Sequence, residues 1–221
     1  MSKLVWDQIG EKLYETGVEQ VALFKQVSGA YPAGVAWNGV TSLNISPSGA
    51  EPTALYADDT KYLNLMSNEE LGFTLEAYTY PEEWEECDGS AEPTDAKGVY
   101  LGQQPRAKFG LVAKTLVGND TDGTTYGYKL HLFYGCLASP AEASHATVND
   151  SPEAVTFSWT VSTEPVSVAG YKPTSYICID STKADPTKLA ALETILYGGE
   201  DAEASLPLPD AVIAAMSGTA G

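Results

Sequence analysis

The residue types that could do chemistry are few. Two histidines, His131 and His145, and three cysteines, Cys87, Cys136 and Cys178, are the whole supply of imidazole and thiol groups. His131 falls inside the run Lys129-Leu-His-Leu-Phe-Tyr134, on one face of a strand, which is a structural position. Cys136 is near it in sequence, but no Ser/His/Asp or Cys/His arrangement has local support. The cysteines are widely spaced and odd in number, and no CxxC or Cys/His metal spacing occurs. Acidic pairs are abundant: Asp58-Asp59, Glu69-Glu70, Glu82-Glu83 and Glu85-Glu86. Glycoside hydrolysis needs two carboxylates set across a cleft. Among 30 acidic residues some pair always looks suitable, so these read as solvated charge. Asn119-Asp-Thr-Asp-Gly123 is half of a calcium loop, but an EF-hand would place a carboxylate at Gly118 and a Glu at Lys129. It reads instead as a hairpin turn. No Walker A loop or dinucleotide fingerprint is present, and the glycosylation matches at Asn44 and Asn119 lack a secretory signal. The expectation is a chain that is not an enzyme and takes no metal or cofactor.

Charge points the same way. The net charge is −18 over 221 residues. Residues 1–100 hold 17 acidic and 5 basic side chains, so the acidity is concentrated in the front half. Tight binding to a phosphate backbone needs Lys and Arg to displace counterions, so a nucleic-acid-binding role is disfavoured. Anionic membrane surfaces are disfavoured for the same reason. The N-terminus lacks a signal-peptide apolar region, no apolar run reaches membrane-spanning length, and the cysteine usage suggests a reducing cytoplasm without disulfides. Cys178, in the apolar run Tyr176–Ile179, reads as a small core residue.

The elements that must carry these residues are mostly strands. Period-2 alternation predicts strands over Val18–Phe24, Val40–Ser46, Leu71–Tyr80, Phe109–Val117, Tyr126–Gly135 and Ala154–Val161. Shorter candidates are Thr53–Tyr56, Tyr62–Met66, Val166–Val168 and Ser175–Asp180. Gly118–Gly123 joins two of these as a hairpin. Pro47–Pro52 reads as a turn or long loop, and Asp58-Asp59-Thr60 as a turn. Pro81–Asp88 is a short helix stopped by Gly89. Asp185–Tyr197 is a second helix, capped by Asp185, with Leu189, Leu192 and Leu196 on one face. A weak helix lies near Asp210–Met216. Near the N-terminus Trp6, Ile9 and Leu13 share a helical face interrupted by Gly10, so an arm docking on a neighbour is an equal reading. The division expected is an N-terminal arm over 1–17, a β domain over 18–199, and a C-terminal arm or frayed tail over 200–221. Aromatics in loops, such as Tyr31, Trp37 and Trp84, suit interfaces.

The stretch Gly34–Gly89, GVAWNGVTSLNISPSGAEPTALYADDTKYLNLMSNEELGFTLEAYTYPEEWEECDG, resembles the front half of a major tail tube protein of long-tailed, non-contractile bacteriophages. GQQPRAKFGLVAKTLVGNDTDGTTYGYKLHLFYG, TVNDSPEAVTFSWTVSTEPV and SYICIDST continue the likeness, which spans roughly Tyr14 to Ile213 and is similar to the branch found in phages and prophages of Gram-positive bacteria. The resemblance implies a mainly β fold: a β-sandwich or half-barrel with one or two flanking helices, whose inner sheet joins its neighbours into a closed barrel. It implies six-fold rings stacked into a hollow virion tube, assembled in the host bacterial cytoplasm. The implied partners are further copies of the chain, a tape measure protein inside the tube, DNA in transit, and tail terminator and tail tip proteins, with no membrane insertion. Glu51, Asp58, Asp59, Glu69, Glu70 and Glu76 are the candidates to line the bore, where carboxylates would repel phosphates. Two other readings stay open: an inner-tube protein of a contractile tail or secretion machine, and a carbohydrate-binding β-sandwich module. The second would need a cleft built on Trp37, Trp84 and Trp159.

Overall fold

The computed structural model describes residues 3–145, 147, 154–200 and 202–218. The strands are β1 (Tyr14–Lys25), β2 (Val35–Ala36), β3 (Val40–Gly49), β4 (Pro52–Ala57), β5 (Thr60–Met66), β6 (Glu69–Ala77), β7 (Phe109–Asn119), β8 (Gly123–Ala138), β9 (Phe157–Thr163) and β10 (Tyr176–Asp180). The helices are α1 (Trp84–Asp88), α2 (Pro186–Tyr197) and α3 (Pro209–Ser217). One antiparallel sheet runs β2-β1-β7-β8-β9-β6-β3, with β10 also paired to β8, while β4 and β5 form a separate two-stranded ribbon. The fold is therefore mainly β and sandwich-like. Among the described residues no barrel closes, and the three helices lie at the three stretches whose sequence reads as helical.

Two cores explain this arrangement. On one side of the sheet, Leu23, Phe73, Leu75, Phe109, Leu111, Phe133, Trp159 and Val161 enclose Trp37 and the α1 residues Trp84 and Cys87. On the other side, Phe24, Val112, Leu130, Leu132 and Tyr134 receive Leu189, Leu192 and Leu196 of α2, with Val212 of α3. Strands β1, β7 and β8 are thus apolar on both faces, as strands buried twice must be. Leu189, Leu192 and Leu196 point inward as their spacing predicts, and Asp185 caps α2 by accepting from Thr187 N at 2.9 Å and Lys188 N at 3.1 Å.

Several local readings change. The first strand starts at Tyr14, not Val18, because Tyr14–Thr16 pair with Leu116–Gly118. Among the described residues before it, 3–13, there is no helix: Asp7 and Gly10 adopt φ of 57° and 86°. Pro47 is inside β3, not in a turn, opposite Leu71. That is tolerated because β3 is the sheet's last strand, where a missing N–H breaks no ladder bond. Cys178 is exposed, not in the core. Its strand neighbours Ile177 and Ile179 take the inward positions against α2, so period 2 turns Cys178 away.

Candidate functional site: the projecting arm and the polar sheet face

Strands β3 and β6 form a hairpin that is interrupted and then resumes as the β4–β5 ribbon. The interruption has a cause. Gly49 and Ala50 both have positive φ, 79° and 54°, which twists the chain out of the ladder opposite Asn68. A Cβ at Gly49 would sit 2.3 Å from the Asn68 carbonyl oxygen, so only glycine fits. Beyond this elbow every residue of β5 is exposed, and so is all of β4 except Ala54. The ribbon ends in a tight turn at Asp58-Asp59, φ 50° and 60°. It carries Leu55, Tyr56, Tyr62, Leu63, Leu65 and Met66, exposed by 41, 72, 72, 38, 55 and 68%. Exposed apolar side chains on this scale mark an interaction surface.

The second feature is the outward face of β3, β6 and β9. The register sets Ser42, Glu76 and Ser158 in one row, Asn44, Thr74 and Thr160 in the next, and Ser46, Gly72 and Ser162 in a third. Ser48 and Glu70 complete it. Their sequence neighbours Phe73, Leu75, Trp159 and Val161 face the core. The face is hydroxyl-rich, and none of the three strands carries a Lys or Arg.

The six candidate carboxylates fall into three places. Glu51, Asp58 and Asp59 are on the arm, Asp58 and Asp59 at its tip. Glu70 and Glu76 are on the polar face, and Glu76 accepts a 2.8 Å hydrogen bond from the Ser42 hydroxyl. Glu69, on the opposite side of β6, lines a cleft of about 640 Å³ at the arm's root with Met66, Leu71, Lys172 and Tyr176. Among the described residues no ion pair involves any of the six.

Of the residues singled out for chemistry, His131, Cys87 and Cys136 are committed to structure, while Cys178 and His145 are exposed. His131 is buried between the Thr115 hydroxyl, 2.8 Å from Nε2, and the Tyr176 hydroxyl, 2.7 Å from Nδ1. Burial holds its imidazole below the ordinary histidine range. Burial likewise pushes the Cys87 thiol up to about 12 and raises Cys136. In the Asn119–Gly123 turn, Asp120 accepts from the backbone N–H of Gly10 at 3.0 Å, and Asn119 donates to the Gly10 carbonyl at 3.2 Å. The turn is a clasp for the N-terminal segment, which leaves Leu4, Val5, Trp6 and Ile9 exposed. No group of three or more potential metal ligands occurs among the described residues.

Trp37, Trp84 and Trp159 do come together, but inside the core. Their exposures are 3, 0 and 2%, with ring centroids 4.6 to 5.5 Å apart. They offer no platform to a sugar. Tyr31 is buried too, and its hydroxyl accepts from Gly135 N at 2.8 Å. The most exposed aromatics among the described residues are instead Trp6, Tyr56, Tyr62, Tyr78 and Tyr171. Loop position misled the reading, because these loops fold back over the sheet.

No family model matches the chain, and no curated protein matches it. Among solved structures it is similar to a chain of the six-fold-symmetrised cryo-EM structure of the anti-feeding prophage (AFP) baseplate, with a TM-score of 0.40 and 9% identity over 81% of this chain and 99% of that one. Among the described residues no helix is long and apolar enough to cross a membrane.

Proposed function

We propose that this chain is the repeating subunit of a phage tail tube. The observation that carries the reading is the β4–β5 arm, a ribbon with no core of its own that displays six large apolar side chains to solvent. A ribbon of this kind is marginal alone and needs a surface to pack on. The resemblance of the Gly34–Gly89 block to tail tube proteins supplies that surface: other copies of the chain. Six copies form a ring and rings stack, with the arm bridging from one copy to others. The free edge of β3 is where inner sheets of adjacent copies join into a closed barrel, which removes an otherwise exposed edge. The cation-free face with Glu70 and Glu76 then lines the bore. Carboxylates repel DNA phosphates and hydroxyls offer them only neutral hydrogen bonds, without the charge pairing of Lys or Arg, so summed contacts stay weak. A tape measure protein occupies the bore before delivery, terminator and tip proteins close its ends, and the chain resides in the virion tail after assembly in the host cytoplasm. An enzymatic role has no site to rest on in this reading.

Electron microscopy of the purified, concentrated protein tests the proposal. Rings or tubes with six-fold symmetry are the expected result. A chain that stays dispersed as monomers at all concentrations and salt conditions overturns it.

A further inference from the structure

We infer that the cleft at the arm's root is a binding site for a small zwitterion of the α-amino-acid class with an apolar side chain. The inference goes beyond the tail tube reading and concerns the single chain. The cleft, about 640 Å³, has the size of a small-molecule site. One wall is the junction of arm and sheet, where Ser67 and Asn68 lead into Glu69, the first residue of β6. The other wall is the β9–β10 connection, which carries Lys172 and runs into Tyr176. Both walls are fixed before a ligand arrives. Val166 and Thr174 exchange backbone hydrogen bonds of 2.9 Å in both directions, and Pro165 and Pro173 stiffen the chain just before each of them. At the floor the Thr163 hydroxyl donates to the Leu71 carbonyl at 2.7 Å and lies 2.7 Å from the Ser175 hydroxyl, which ties the two walls together. A site that is ordered in advance loses less freedom on binding.

Charge decides the ligand. Lys25, in the cleft beside Pro32, is paired with Glu86 at 2.9 Å, and Lys114, in the cleft beside α2, is paired with Glu19 at 3.3 Å. At the arm's root the ammonium and the carboxylate are both free. Among the described residues neither Lys172 nor Glu69 makes an ion pair or a side-chain hydrogen bond, although they line the same cleft. The gap between them is too wide for direct pairing. A ligand with one charge answers one wall and leaves the other unmatched, and a polyol offers both only neutral partners. A zwitterion answers both, its ammonium toward Glu69 and its carboxylate toward Lys172, through charge-assisted hydrogen bonds. Ser67 and Asn68 add neutral donors and acceptors. Met66, Leu71 and Tyr176 give an aliphatic side chain an apolar surface to cover. A ligand so held ties the arm's root to the β9–β10 connection.

Titration calorimetry on the dilute purified chain tests this, with L-leucine, leucinamide (the cation alone) and N-acetylleucine (the anion alone). Leucine is expected to bind about tenfold more tightly than either, the worth of one charge-assisted hydrogen bond. Amide hydrogen exchange in saturating leucine is expected to slow over residues 67–71 and 172–176. Lys172→Met should remove the advantage of leucine over leucinamide, and Glu69→Gln its advantage over N-acetylleucine. Both side chains are exposed, so neither substitution threatens the fold. No binding of leucine, equal binding of the three compounds, or leucine binding unchanged in both variants overturns the inference. None of these outcomes bears on whether rings or tubes form.

Discussion

Replacing Gly49 by alanine should disconnect the arm from the body without unfolding the body. The added Cβ would lie 2.3 Å from the Asn68 carbonyl oxygen, about 1 Å inside ordinary contact, and Gly49 is held at φ 79°. An alanine at positive φ costs about 1–2 kcal/mol. The elbow bond from Ala50 N–H to the Asn68 carbonyl, already long at 3.4 Å, is lost for about 1 kcal/mol more. The local cost is thus about 2–3 kcal/mol, or roughly a 30- to 150-fold rise in the open-to-closed ratio of the ribbon, at 1.4 kcal/mol per tenfold, enough to leave it mostly open. The strain is relieved when the arm detaches, so the whole molecule loses only what held the arm. For an unsupported ribbon that is about 1–2 kcal/mol, or roughly 2–8 °C in Tm at this chain length. Hydrogen exchange read by mass spectrometry on dilute protein should therefore show Pro52–Met66 losing its protection, about 5- to 30-fold for a ribbon held by 1–2 kcal/mol, with the β7–β8 hairpin unchanged. Tubes should fail to form. Gly29→Ala is the control: Gly29 has φ 85° but nothing within 4 Å of its Cβ position, so it meets the backbone cost without the clash. Normal ribbon protection and normal tubes in Gly49→Ala would refute the elbow argument.

Four further outcomes follow from named contacts. Trp84, fully buried against Trp37, Trp159 and Phe109, plugs the first core; Trp84→Ala should cost about 3–5 kcal/mol in denaturant unfolding, and a loss under about 1 kcal/mol would contradict that role. Of the three thiols only Cys178 is exposed, so a thiol reagent should titrate one group in the native protein and three after denaturation; two fast groups would be incompatible with the packing of Cys87 and Cys136. Because burial lowers the His131 pKa, the unfolded chain takes up this proton first as pH falls, so stability is full above about pH 6.5 and declines below it until the folded ring protonates. His131→Gln should flatten that part of the Tm curve between about pH 7 and 5, and an unaltered slope would show that the ring is not the source. In assembled tubes, Glu70→Lys with Glu76→Lys should retain short duplex DNA that wild-type tubes release, with retention falling as salt rises; equal release would remove these residues from the bore.

The local grammar was legible in the chain itself. Alternation located Leu71–Ala77 and the Phe109–Gly135 hairpin, and the Asp185 cap with its three leucines located α2, because these signals act between residues a few positions apart. The acidic, cation-poor front half was visible in composition alone. What tertiary structure decided was the side each residue faces. Trp37, Trp84 and Trp159 are scattered across 123 positions, and only the curl of the sheet brings them into one core. Cys178 sits in an apolar run yet faces solvent, because the α2 leucines claim its neighbours. Pro47 looked like a turn, and only its place on the sheet's last strand makes it compatible with β3. The six carboxylates looked like one group along the chain. The elbow at Gly49 and Ala50 sends Glu51, Asp58 and Asp59 away on the arm, while pairing with β3 and β9 keeps Glu70 and Glu76 on the polar face. The physical reason is the same throughout: periodicity and capping are short-range, whereas a face is assigned by which distant strand or helix covers the other side.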